Sequence, residues 1–140
     1  MSNDKQGFFW HVHHEKLMEW CHSYDERAEY IRTEKPLNER ETRLRLFQPV
    51  KGNLPEEVTE ACRAFLEAKR VYVEAGRVYV EAGQARDEAW RAYNEASQAY
   101  YEATQDYDEA LSKNMFDIEA LHAEECPNCP WNGHTILPNA

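Results

Sequence analysis

The residues able to do chemistry lie towards the two ends of the chain. Near the C-terminus runs Cys126-Pro-Asn-Cys129-Pro-Trp-Asn-Gly-His134. Two thiols two residues apart on a tight proline turn can both reach one tetrahedral metal ion. Near the N-terminus lies His11-Val-His13-His14, followed by Cys21 and His22. His122 stands four residues before Cys126 and His134 five after Cys129. Cys126 and Cys129 are therefore expected to hold structural zinc, with two histidines drawn from His11, His13, His14, His122 and His134.

The Cys126–Cys129 segment resembles one knuckle of a zinc ribbon. No second Cys-x-x-Cys exists, so the remaining ligands must come from elsewhere in the chain. Two other fates for these thiols are a plain reduced pair in a tail and a redox dithiol. The redox reading is the weaker, since a reactive pair usually opens a helix, whose dipole lowers the thiol pKa. Here the pair follows a helical stretch and is trailed by Pro130. A hydrolytic metal site built on His11, His13 and Glu15 is a further alternative, but the helical His-Glu-x-x-His spacing is absent. No Gly-rich phosphate loop or nucleophile motif occurs. The expectation is a non-enzymatic protein.

The elements that must position these residues are dominated by a repeat. Glu-Ala recurs every seven residues from Glu60-Ala61 to Glu109-Ala110, and Arg70-Val-Tyr-Val-Glu-Ala-Gly76 is followed by an identical block, residues 77–83. With these alanines at heptad position a, position d is Ala64, Val71, Val78, Ala85, Ala92, Ala99 and Asp106. Position e is Phe65, Tyr72, Tyr79, Arg86, Tyr93, Tyr100 and Tyr107, and g is always Glu. Positions a, d and e form a stripe wide enough to face a partner helix. Gly76, Gly83 and Cys62 then fall at b, on the outer face. A rival reading makes Val71-Tyr-Val and Val78-Tyr-Val a strand hairpin, but the unbroken alanine phase favours helix.

An uninterrupted helix over residues 55–124 would be about 105 Å long at ~1.5 Å per residue. Such a rod favours a homodimer through residues 61–110. The alternative is a helix that breaks near Gly76 or Gly83 and folds back as a hairpin. Tyr72, Tyr79, Tyr93, Tyr100 and Tyr107 are the expected seam residues, and the rod suits a spacer, each added heptad lengthening it by about 10 Å.

Ahead of the repeat, helical spacing of Leu17, Cys21, Tyr24, Ala28 and Ile31 predicts a helix over 14–34, ended by Pro36. A second, shorter helix over 37–47, capped by Asn38, and a turn over 48–55 follow. Residues 8–13 read as a short strand or the packed entry to a helix. The fold class expected is all-α: an N-terminal helical head (1–54), an acidic heptad helix (55–124) and a C-terminal zinc knuckle (125–140) packing on the head.

Charge narrows the partners. The chain carries a net −10, and residues 86–125 hold 11 acidic against 3 basic residues, giving −8 of it. That segment repels nucleic acid, or resembles it to a protein that binds nucleic acid. A row containing Glu88, Glu95 and Glu102 is the feature such an acidic inhibitor would use. The basic cluster Arg40, Arg43, Arg45 and Lys51 is expected to pair with the acidic repeat. The polar start and the lack of a long apolar window point to a cytoplasmic protein without a membrane span.

Overall fold

A computed structural model describes residues 4–82 and 86–137. The chain is mostly helical with a small sheet, in the order β1 (Gly7–Trp10), β2 (Met18–Cys21), α1 (Tyr24–Glu34), α2 (Leu37–Leu46), β3 (Gln48–Pro49), α3 (Glu56–Glu81), α4 (Arg86–Lys113) and α5 (Met115–Glu125). It divides into two compact units. One comprises Met1–Asn53 with Glu119–Ala140, the other Leu54–Ile118. Among the described residues, no helix is long and apolar enough to cross a membrane.

In the first unit the sheet order is β2-β1-β3, antiparallel throughout. This corrects the all-α expectation, and with it the helix over 14–34. Phe8 pairs with Trp20 and Trp10 with Met18. Cys21, which fits a helical spacing with Leu17 and Tyr24, instead lies in β2, where side chains alternate between the two faces of a pleated pair. The Phe8 and Trp20 rings meet edge to face at 5.3 Å. The helix starts only where Ser23 can cap it, accepting from the Glu26 amide and leading into Asp25 and Glu26.

One face of the sheet carries Phe9 and Cys21 into a core with Val12, Ala28, Ile31 and Phe47. Each large side chain so buried contributes about 1.5–3 kcal/mol. Helix α2 lies where expected, but Pro36 occupies its N-cap rather than Asn38. Two residues of the basic cluster have partners close by in the sequence. Arg43 is buried against Glu39, and Arg40 donates to the Lys35 and Thr33 carbonyls that end α1. The Arg43–Glu39 pair leaves α2 with no uncompensated buried charge.

In the second unit the straight helix is replaced by the folded-back alternative. Helices α3 and α4 pack antiparallel along their length. The joining residues 83–85, and with them Gly83 and Ala85, lie outside the described residues. Asn114 ends α4, its amide and side chain both turned back on the Ala110 carbonyl. The inner face is formed by positions a, e and b, not a, d and e. Cys62 at b is buried, as are Ala89, Ala96 and Ala110 at a, while Val71 and Val78 at d are exposed. Gly76, also at b, faces inward too: a Cβ there would lie 2.9 Å from the Tyr93 ring. The physical reason is ring size. Aromatic residues at six of the seven e positions claim the centre of the contact, and the b side, with Gly76 and Cys62, gives their rings room.

The result is a continuous column of rings. Tyr107 meets Phe65 at 5.5 Å, Phe65 meets Tyr100 at 5.6 Å, and Tyr100 meets Tyr72 at 5.2 Å. Tyr72 meets Tyr93 at 5.3 Å, Tyr93 meets Tyr79 at 5.7 Å, and Tyr79 meets Trp90 at 5.4 Å. The Tyr72 and Tyr93 hydroxyls bond each other at 3.0 Å. Outward, Arg70 pairs with Glu67, and Arg77 with Glu74 and Glu81.

Gly76→Ala is expected to destabilise the hairpin. The added methyl brings about 1 kcal/mol of helix propensity, but it displaces a Tyr93 ring held between Tyr72 and Tyr79, at a cost of about 1–3 kcal/mol. A lowered thermal midpoint checks this; a raised one shows that the column has slack.

Candidate metal centre

Four donor atoms converge in the first unit. One from each of His11, His122, Cys126 and Cys129 lies within 4.8 Å of all the others. His11 Nε2 stands 3.0 Å from His122 Nε2 and 3.2 Å from Cys129 Sγ. A tetrahedral zinc with bonds of about 2.0 Å to nitrogen and 2.3 Å to sulfur needs ligand separations of roughly 3.3–3.8 Å. The cluster is close to that size.

Each ligand is placed by its local backbone. His11 follows β1 directly and takes φ 52°, which turns the chain out of the strand. Its amide donates to Leu17 O at 3.0 Å, closing the turn towards β2. His122 and Cys126 are four apart on α5 and its end, and the Cys126 amide still donates to the His122 carbonyl at 2.8 Å. That spacing sets both side chains on one helix face. Asn128, at φ 61°, bends the Cys-Pro-Asn-Cys turn and returns Cys129 to the group. His and Asn-type side chains tolerate this left-handed region better than most, and both outliers among the non-glycine residues described sit in the site.

The protonation pattern suits a cation. His11 Nδ1 lies 3.2 Å from the Lys16 carbonyl, which can only accept. The ring proton belongs on Nδ1, and Nε2 presents a bare lone pair to His122 and Cys129. Burial lowers the pKa of His11 to about 4, with the neighbouring His122 adding to the effect and the Lys16 bond opposing it. Burial lowers that of His122 as well. Burial, the Cys129 bond and the Cys129 charge push Cys126 up to about 12, with Arg45 opposing. A thiol in such surroundings releases its proton only if a cation takes its place.

The neighbours hold the ligands in place. The Trp10 ring packs on His122 at 5.1 Å, and Trp131 lies over His11 at 5.5 Å. The Glu125 carboxylate, one residue before Cys126, accepts from Trp10 Nε1 at 2.8 Å and from the Lys51 and Gly52 amides. Beyond the turn, the Ile136 amide donates to the His14 carbonyl at 2.9 Å and buries the Ile136 side chain.

Of the expected histidines, His11 and His122 join the thiols; the other three do not. His13 pairs with Glu19 at 2.7 Å. His14 bonds Thr135 at 2.9 Å. His134 is exposed, its amide donating to the Asn132 side chain. The hydrolytic grouping of His11, His13 and Glu15 is not assembled, since His13 is engaged with Glu19 and Glu15 is exposed. Spacing gave no sign of Glu125 or Trp131 as supports. The four-residue interval from His122 to Cys126 pointed to a correct histidine, but the five-residue interval from Cys129 to His134 pointed equally to a wrong one. Of the other residues named from the sequence, the five tyrosines line the hairpin interior, and Glu88, Glu95 and Glu102 are exposed on α4. In comparisons with known proteins, no family model, no curated protein and no solved structure matches the chain.

Two outcomes are expected. In metal-free protein, folded His11 refuses a proton down to about pH 4, whereas the unfolded chain takes one near pH 6.5. The unfolded state therefore binds more protons between these values, and stability falls as pH drops from about 6.5 to about 4. Urea midpoints across this range check it, and His11→Gln flattens the trend. Glu125→Gln is expected to cost about 1–2 kcal/mol, because it weakens a charge-assisted bond from the buried Trp10 indole and two from exposed amides. Denaturant melts and faster metal loss to a chelator report it.

Proposed function

We propose that the chain is a non-enzymatic, zinc-stabilised helical interaction protein. The observation that carries this reading is the completeness of the donor set. Two thiols and two imidazoles fill four positions from the protein itself, the arrangement of a structural site rather than one kept open for a substrate. Zinc, when bound, supplies positive charge that stabilises the thiolates and ties the end of β1, α5 and the C-terminal turn. Among divalent ions, mixed sulfur and imidazole donors favour zinc over magnesium or calcium, which take oxygen. His11 and His122 hold neutral rings for it, Lys16 fixes the His11 tautomer, and Trp10 and Trp131 keep water from the imidazole side. Nothing in this arrangement requires a proton to be passed to a substrate.

The acidic hairpin supplies the interaction surface, and self-association through it remains the favoured partner reading. A second reading is an acidic inhibitor of a nucleic-acid-binding protein. Its support is the row Glu88, Glu95 and Glu102, exposed and seven residues apart on α4. Binding to a basic protein that weakens steeply with salt would favour it.

Metal analysis tests the main reading. Purified protein is expected to carry about one zinc per chain, and removing it with a chelator is expected to lower the melting temperature. His122→Ala and Cys129→Ser are expected to lose the metal, whereas His134→Ala keeps it. A metal-free protein whose melt ignores added zinc would overturn the assignment.

A further inference from the structure

The ring column is built from the same heptad position on both helices, a match of phase that a hairpin does not require. Residue i of α3 faces residue 172 − i of α4 in three successive pairs, Phe65 with Tyr107, Tyr72 with Tyr100 and Tyr79 with Tyr93. Two helices joined by a turn can each take any helical phase. Here the phase does not change across the join: Glu81-Ala82 is followed seven residues later by Glu88-Ala89, as everywhere else in the repeat. A hairpin has no use for that continuity. One straight helix does, because it keeps every ring on the same side from Phe65 to Tyr107.

We propose that α3 and α4 exchange between two copies of this chain. The two chains lie antiparallel, each α3 on its partner's α4 through the contacts now made within one chain. Every ring pair is regenerated, so the exchange forfeits no packing. A short join between two packed elements is the usual setting for such swapping.

One residue sits where the two arrangements differ. In the exchanged pair the rule i to 172 − i has its two-fold axis at residue 86, so that residue meets its own copy. Six of the seven e positions are aromatic, and the seventh, on the axis, is Arg86. In the hairpin, Arg86 lies over the Tyr79 ring at 5.8 Å. In the exchanged pair two guanidiniums would face each other. Arg86 therefore acts as the brake that favours the single-chain hairpin, and a ring at that position would complete the column across the axis. The inference rests on the self-association reading of the hairpin and is independent of the metal reading.

The test is the light-scattering mass of the full chain over a range of concentrations. Arg86→Tyr is expected to dimerise at a concentration at least about tenfold lower than the unaltered chain, with Arg86→Gln between the two. Adding Gln84→Pro, which forbids a continuous helix through the join, is expected to return Arg86→Tyr to monomer with the helical circular dichroism retained. The proposal is overturned if Arg86→Tyr dimerises no more readily than the unaltered chain. It is equally overturned if its dimer survives Gln84→Pro, since the pairing would then use another surface.

Discussion

A single carboxylate fixes the first unit. Glu125 accepts from the Trp10 indole and from the Lys51 and Gly52 amides. It thereby joins the end of β1, the segment after β3 and the last turn of α5. These parts are distant in sequence, and the clamp adds to the strand pairing and apolar packing that offset the chain entropy of bringing them together. A Cβ on Gly52 would lie 2.5 Å from the Leu121 side chain, so the backbone has been brought as close to α5 as it can come. The metal ligands follow directly on either side of this clamp, His11 after Trp10 and Cys126 after Glu125. Their convergence is thus a property of the fold, with the donors held ready while their charges remain suppressed by burial.

The second unit solves a different problem. Its helices are rich in alanine, and alanine buries little area, so an alanine seam alone would hold two helices weakly. The rings at position e supply the missing apolar surface, and stacked or tilted aromatic pairs add to it by their quadrupoles. Close approach of the backbones requires small residues beside the rings, which is the role of Gly76 and the buried alanines. Glycine in a helix is costly by itself, and here the space it leaves for Tyr93 compensates.

Much of this could be seen in the residues. The helical state of the repeat follows from its periodicity, though as one rod rather than as α3 and α4, and the two thiols follow from their spacing, with His122 one of five candidate histidines. The strands did not, because Leu17, Cys21 and Tyr24 satisfy a helical period by coincidence, and only pairing across to Phe8 and Trp10 reveals the other arrangement. Which face of the repeat turns inward was also hidden. A heptad pattern with small residues at both a and d is satisfied by several contact faces, and the choice depends on how rings from two helices interleave. The histidines posed the same difficulty. His13 and His14 are as close in sequence to the site as His11, but the bend at His11 directs them to Glu19 and Thr135 instead.

The uniformity of the ring column also bears on how its alignment is set. Phe65 touches both Tyr107 and Tyr100, and Tyr72 touches both Tyr100 and Tyr93. Sliding one helix past the other by seven residues would therefore bring ring onto ring again along most of its length. The column specifies spacing but not position, like a rack whose teeth are all alike. Alignment comes from the few unlike positions, Gly76 beside Tyr93 and the ends, where the Asn114 side chain donates to Glu57 at 3.1 Å and Lys113 approaches the same carboxylate. A sequence of this kind can gain or lose a heptad in either helix and find a new alignment without a compensating change. The adjoining identical blocks at residues 70–76 and 77–83 have the form that such a gain would leave behind.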